Sequence, residues 1–266
     1  MDTKLGKPDR AAWIMGSAAQ CSVLPTPKHA LRMVLLGPPG VGKGTQAELL
    51  CDLLGVCHLS TGDIFRFARQ SCECWSGSAM ASAVQCMQRG ELVPDQTVLD
   101  IIRQRSGCLK CRGGFLLDGF PRTLAQAQVL ESLMRDQDLL LDAVVDYQLP
   151  MEQIVARLSG RRVCSGCKAV FHITDRPPLV PDVCDHCGKA LFQREDDRPE
   201  SMHVRKQAYL DTSSPLIQFY EQRGLLVTVS ADGAPEQILD RTIMTLAALQ
   251  GPMARRLRSV MNPLTV

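Results

Sequence analysis

Residues 31–45, LRMVLLGPPGVGKGT, constrain what this chain can fold into more than any other stretch. A run of apolar residues breaks into a glycine-rich turn carrying one lysine, which reads as a buried strand feeding a loop and then a helix. Gly37, Gly40 and Gly42 let the backbone curl until consecutive N–H groups point at one centre, and the helix opening near Lys43 adds its positive end. That is a seat for phosphate, with Lys43 as a point charge for the β and γ oxygens. The fit to the common pattern is loose at one place: Gly44 follows the lysine, and the hydroxyl arrives one residue late, at Thr45. An ordinary Gly/Pro turn would need neither the lysine nor the helix after it. The stretch is read as a nucleotide-binding loop.

The rest of the chain supplies a sheet for that loop. Residues 44–54 read as a helix and 56–59 as a short strand, after which Ser60-Thr61-Gly62-Asp63 caps a helix carrying Arg66. Residues 71–83 are polar and loop-like and lead into a helix ending at Gly90; Pro94-Asp95 opens the next. Phe115-Leu116-Leu117 is a short buried strand with Asp118 at its carboxyl end, the edge where open α/β sheets bind ligands. A carboxylate there suits Mg²⁺ beside phosphates, and Arg122 suits a phosphate oxygen. Taken alone, a capping Asp and a surface Arg would explain both. Helices at 123–135 and from Met151, strands at 143–147 and 225–229, a long helix through Arg205 to about Arg223, and a last helix at 234–249 follow. The alternation predicts a parallel, doubly wound sheet.

Cys164-x-x-Cys167 and Cys184-x-x-Cys187, separated by sixteen residues, form a tetrahedral thiolate set of the zinc type. All four positions are filled by protein, so the zinc is expected to be structural. It would supply the folding energy of a segment rich in proline and poor in core. His172 and His186 read as surface imidazoles, and Cys108-x-x-Cys111, a lone pair, as incidental.

Composition bounds the partners. At 266 residues, 45% of them hydrophobic and 22% charged, the chain reads as a soluble globular protein with a sizeable core. Its net charge of +2 gives no field that argues for nucleic acid, and no apolar run approaches the roughly 20 residues that span a bilayer. The twelve cysteines have no disulfide-scaffold look outside the metal pattern, which with the loop suggests a reducing interior, the cytoplasm. Residues 1–30 read as a disordered extension, with a mitochondrial transit peptide as the alternative; residues 250–266 read as a flexible tail.

With these pieces in order, the chain resembles the adenylate kinases, in the form with a long, zinc-binding lid. The motifs that carry the likeness are GPPGVGKGT, LSTGDIFR, GELVPD, FLLDGFPRTLAQ, SGRRVCSGC, REDDRPE and TSSPLIQFY, spread over residues 31–249. The resemblance implies an α/β, P-loop NTPase-type fold with a doubly wound parallel five-stranded sheet (residues 31–60, 94–156 and 197–249). An AMP-binding helical arm (61–93) and a zinc lid (157–196) would complete it. It implies that Gly40, Val41, Gly42, Lys43, Gly44 and Thr45 hold the ATP phosphates, and that Arg157, Arg161, Val170, Phe171 and the backbone near Ala234 cover ATP. Thr61, Arg66, the backbone of Glu91, Leu92 and Val93, then Gly119, Phe120, Pro121, Arg122 and Gln126 would line the AMP site. Arg194 and Arg205 would reach the phosphates, and Asp118 would hold hydrated Mg²⁺. The implied activity is reversible transfer from Mg-ATP to AMP giving two ADP, by a monomer that needs neither nucleic acid nor membrane. Two places depart from the family: the run after Arg194, with His203 at a usually basic position, and the 71–83 segment of the arm.

Three other readings compete. A UMP/CMP kinase would carry a small residue in place of Thr61 and a short lid without zinc. A GTP-using AMP kinase differs mainly in backbone contacts to the donor base. A non-catalytic zinc-ribbon module binding nucleic acid would want a basic stripe, and would need neither Lys43 nor Arg122.

Overall fold

The computed structural model describes Trp13 and residues 30–70, 78–111, 113–167 and 169–249. The expected N-terminal extension apart from Trp13, the C-terminal tail from residue 250, and residues 71–77 of the arm lie outside the described residues.

Strand β1 (Leu31–Leu36) leads into helix α1 (Lys43–Leu54), and β2 (Cys57–Ser60) into α2 (Thr61–Gln70). Helices α3 (Ser78–Arg89) and α4 (Asp95–Gln104) precede β3 (Gly114–Asp118) and α5 (Leu124–Arg135). Then come β4 (Ala143–Gln148), α6 (Met151–Gly160), and three short strands, β5 (Arg161–Cys164), β6 (Val170–His172) and β7 (Leu191–Phe192). Helix α7 (Pro199–Glu221), β8 (Leu226–Ser230) and α8 (Pro235–Ala248) close the described chain. The five-stranded sheet runs β2-β3-β1-β4-β8, every pair parallel.

Central strand β1 shows why its sequence is apolar throughout. Successive side chains of a strand point to opposite faces, and here both faces are covered. Val34 and Leu36 enter one core with Phe115, Leu117 and Phe219. Leu31, Met33 and Leu35 enter the other with Leu50 of α1 and Ile243 of α8. The order also places β1 between β3 and β4, so the loops leaving β1 and β3 open side by side at the carboxyl edge.

The short strands form a separate antiparallel sheet, β6-β5-β7, with a four-residue core of Cys164, Phe171, Cys184 and Leu191. Among the described residues no helix is long and apolar enough to cross a membrane.

Three local features depart from the sequence reading. Helix α3 begins at Ser78, inside the stretch read as loop, because Ala79, Met80, Ala81 and Ala83 favour helix. Cys111 of the lone CxxC is joined to Cys57, with the Cα atoms 6.9 Å apart, a pairing set by the β2–β3 neighbourhood rather than by spacing. Trp13, inside the stretch read as disordered, is 2% exposed and belongs to the first core.

Candidate active site

The loop after β1 is built from residues that tolerate its backbone. Gly37, Gly40 and Gly42 all have positive φ, at 129°, 87° and 108°. A Cβ on Gly40 would also stand 2.6 Å from the Leu158 side chain. Gly42 caps α1, leaving that helix's first N–H groups to face the cavity. Lys43 folds back along the loop, its Nζ donating to the carbonyls of Gly37 at 2.7 Å and Pro38 at 2.9 Å. Burial lowers its pKa to about 8, against the opposing pull of Asp118.

Asp118 ends β3 across from the loop. Burial alone would raise its carboxyl, but His58, Lys43 and Arg66 outweigh it and hold the pKa down to about 2. His58 Nε2 lies 3.6 Å from Oδ2, in a side chain only 4% exposed. The sequence reading did not single out His58; a histidine inside a short buried strand looks like core.

Beyond Asp118 the chain is pinned by local bonds and by two long-range ones to Asp95. Arg122 donates through Nε to the Gly119 carbonyl at 2.9 Å, and through its backbone N–H to Gln126 Oε1 at 2.8 Å. Gln126 Nε2 and Thr123 Oγ1 each donate to one oxygen of Asp95, at 2.7 and 2.8 Å. Arg66 donates to Asp63 Oδ1 at 2.6 Å.

A second set of cations comes from the entry and exit of the small sheet. Arg161 Nε donates to Asp197 Oδ2 at 2.7 Å, and its Nη2 to Oδ1. Arg205 Nη1 meets Asp196 Oδ2 at 3.0 Å and Asp197 Oδ1 at 3.4 Å. Arg194 Nε is buried and has no hydrogen-bond partner among the described residues. Burial, then the nearby Arg66 and Arg161, press its pKa down to about 9. Arg157 leans over the loop, donating to the carbonyls of Val41 at 3.1 Å and Ala231 at 2.9 Å.

These groups surround one cavity of about 1410 Å³. Pockets that bury a single drug-sized ligand measure roughly 300–1,000 Å³, so two nucleotides are within its capacity. Gly40, Gly42, Lys43, Gly44, Thr45, Arg157, Arg161, Val170, Phe171 and Ala234 line it toward the small sheet and α8. Arg66, Leu92, Asp118, Gly119, Pro121, Arg122, Arg194 and Arg205 line the remainder. Val41, Thr61, Glu91, Val93, Phe120 and Gln126 do not line it. Thr61, Phe120 and Gln126 stand buried behind its wall, and the Glu91 side chain is taken by Arg89 at 2.9 Å. His172, read from sequence as a surface group, lines the cavity and is held there by Thr174 and Asp175.

The four cysteine sulfurs of the small sheet lie within 4.8 Å of one another, with Cys164–Cys187 at 3.3 Å and Cys167–Cys184 at 3.5 Å. A tetrahedral zinc with Zn–S bonds of about 2.3 Å puts its sulfurs about 3.8 Å apart. The cluster is compatible with zinc.

Residues 35–225 match the family model described as adenylate kinase. The chain belongs to the adenylate kinase family. An adenylate kinase of Caldicellulosiruptor saccharolyticus is 44% identical over 219 residues, covering 82% of this chain and 99% of that protein. One of Desulforamulus reducens is 40% identical over 217 residues, covering 81% and 100%. One of Streptomyces griseus is 41% identical over 220 residues, covering 82% and 98%. As an adenylate kinase, the chain is an ATP:AMP phosphotransferase acting on Mg-ATP; the UMP/CMP and GTP alternatives are not favoured.

Proposed function

We propose that ATP lies with its phosphates on Gly40 to Thr45 under Arg157, and that AMP lies against Arg66, Leu92 and Arg122, the transferred group passing between them. The carrying observation is Arg194: a half-buried guanidinium on the cavity wall, its buried Nε without a hydrogen-bond partner among the described residues and two more arginines close by. Such a group calls for an anion, and phosphate oxygens supply one. Arg122, Arg161 and Arg205 would neutralise the rest of the charge that spreads over the transferring group. Transfer then needs positioning and charge more than a base.

Asp118 fits hydrated Mg²⁺, because its carboxyl stays ionised and, among the described residues, it pairs with His58 and with no arginine. Held by Asp118, such a metal would supply positive charge that offsets the charge of the phosphates. Thr61, Phe120 and Gln126 would act from behind the wall, shaping the acceptor side and holding Arg122. Closure of the small sheet, through Val170 and Phe171, would exclude water, the competing acceptor. Zinc on Cys164, Cys167, Cys184 and Cys187 would tie that sheet's two knuckles together and take no part in the chemistry.

A nucleotide-pair screen tests this reading. Purified protein is offered ATP or GTP with AMP, UMP or CMP, and diphosphate formation is followed. ATP with AMP should be the productive pair, and Arg194→Met should lower its turnover at least tenfold. Wild-type turnover in that variant would remove Arg194 from the site.

A further inference from the structure

Trp13 lies ahead of residues 35–225, the part of the chain matched by the family model, yet its side chain is 2% exposed. It shares the first core with Leu59 of β2, Ile64 and Phe65 in the first turn of α2, Ala83 in the middle of α3 and Ile102 near the end of α4. Two hydrogen bonds fix it. The indole Nε1–H donates to the Ser60 carbonyl at 3.0 Å. The buried Arg105, which caps the end of α4, donates through Nε to the Trp13 carbonyl at 2.7 Å.

Ser60 is the last residue of β2, an outermost strand of the five-stranded sheet. The outer side of such a strand leaves backbone groups that the sheet itself does not pair, and a buried carbonyl left unpaired is costly. Trp13 supplies the partner at the residue where sheet becomes arm. From that peptide the chain passes directly into α2, where Ser60 Oγ accepts from the Asp63 N–H at 3.4 Å and Asp63 grips Arg66. One indole therefore touches the peptide that leads directly into the helix carrying Arg66.

We infer that Trp13 is a positioning residue for AMP: by holding the Ser60 peptide, it keeps the root of α2 in the orientation that presents Arg66 to the acceptor. The inference rests on the assignment of AMP to that side of the cavity. An arm held in its competent orientation binds at its intrinsic affinity, whereas a loosened arm binds more weakly in proportion to the fraction misplaced.

The test is Trp13→Phe in the full chain, which keeps an aromatic ring in the core and removes the N–H. Its KM for AMP should rise about three- to tenfold, the range that one lost hydrogen bond represents, while KM for ATP and kcat at saturating AMP stay near wild type. Coupling is reciprocal, so AMP should in turn tighten Trp13. The chain holds two tryptophans, Trp13 and Trp75, and in a Trp75→Phe background acrylamide quenching reads Trp13 alone. AMP should reduce that quenching, and ATP should not. The inference is overturned if Trp13→Phe moves both KM values together or neither, or if quenching ignores AMP. Arg122→Lys, measured alongside, separates the two layers. If it raises KM for AMP while Trp13→Phe does not, only the role of Trp13 falls; if neither does, the acceptor assignment falls with it.

Discussion

Arg161 forks onto Asp197, with Nε 2.7 Å from Oδ2 and Nη2 on Oδ1, and the carboxylate is wholly buried. The pair joins the first residue of the small sheet to the turn that begins the return to the core. Removing one partner of a buried ion pair leaves the other uncompensated, at a cost of about 3–5 kcal/mol. Asp197→Asn should therefore lower the thermal midpoint by several degrees and reduce kcat, since Arg161 loses its anchor and Arg205 keeps only Asp196. A variant with wild-type melting and turnover would show that the fork is incidental.

Lys43→Met keeps the length of the side chain and removes its charge. Loss of a charge aimed at a transition state costs about 10²–10³ in rate, so kcat should fall by that order while circular dichroism and melting stay close to wild type. Turnover within a few-fold of wild type would place Lys43 outside the chemistry.

The same lysine sets a pH dependence. Its folded pKa is about 8, below the ordinary 10.5, because burial disfavours the charged form. Between these values the unfolded chain holds the proton and the folded one does not, so the Lys43 contribution to stability rises with pH across that window. Binding moves the other way: the nucleotide-free protein loses a cation as pH rises through about 8. ATP affinity, measured by titration at pH 7 and pH 9, should weaken at the higher value. A flat profile would mean that Lys43 stays charged.

Arg122→Lys preserves charge and loses the planar fork. Because the guanidinium is already committed through Nε to the Gly119 carbonyl, its remaining N–H groups keep a fixed direction that a lysine cannot reproduce. A large fall in kcat/KM is expected, about tenfold or more by analogy with other lost oriented donors; an unchanged value would reduce Arg122 to a surface cation.

Cys184→Ser, or exhaustive chelation, should loosen the small sheet, whose core besides the cysteines is Phe171 and Leu191. Metal analysis should return about one zinc per chain, with a melting temperature that depends on it. Activity should persist at low temperature with ATP affinity most reduced. Complete loss of turnover in a zinc-free chain that is still folded would make the metal catalytic.

What could be read in advance follows from how local each signal is. The loop at 37–45 and Asp118 with Arg122 are contiguous patterns in which chemistry restricts the residue type, and the structure opens both onto one cavity. Asp197 stood in plain view as part of an unusual acidic run, but its meaning depends on Arg161, thirty-six residues earlier. Asp95 looked like a helix start; its bonds to Thr123 and Gln126 exist only once α4 and α5 are packed. His58 and Trp13 were hidden for the opposite reason: each is an unremarkable residue locally, and only burial beside Asp118 or Ser60 gives it a task.

The contact between Gly40 and Leu158 has a mechanical side. Leu158 fills the space just above the loop, while its neighbour Arg157 holds the Val41 carbonyl from the same helix. One residue blocks the loop from rising and the next keeps it from sinking away. The height of the loop is thus gauged by two consecutive side chains of α6, the helix whose far end becomes the small sheet. A tilt of that sheet would reach the loop across a single turn of helix, so with ATP placed as proposed, grip and cover would move as one piece.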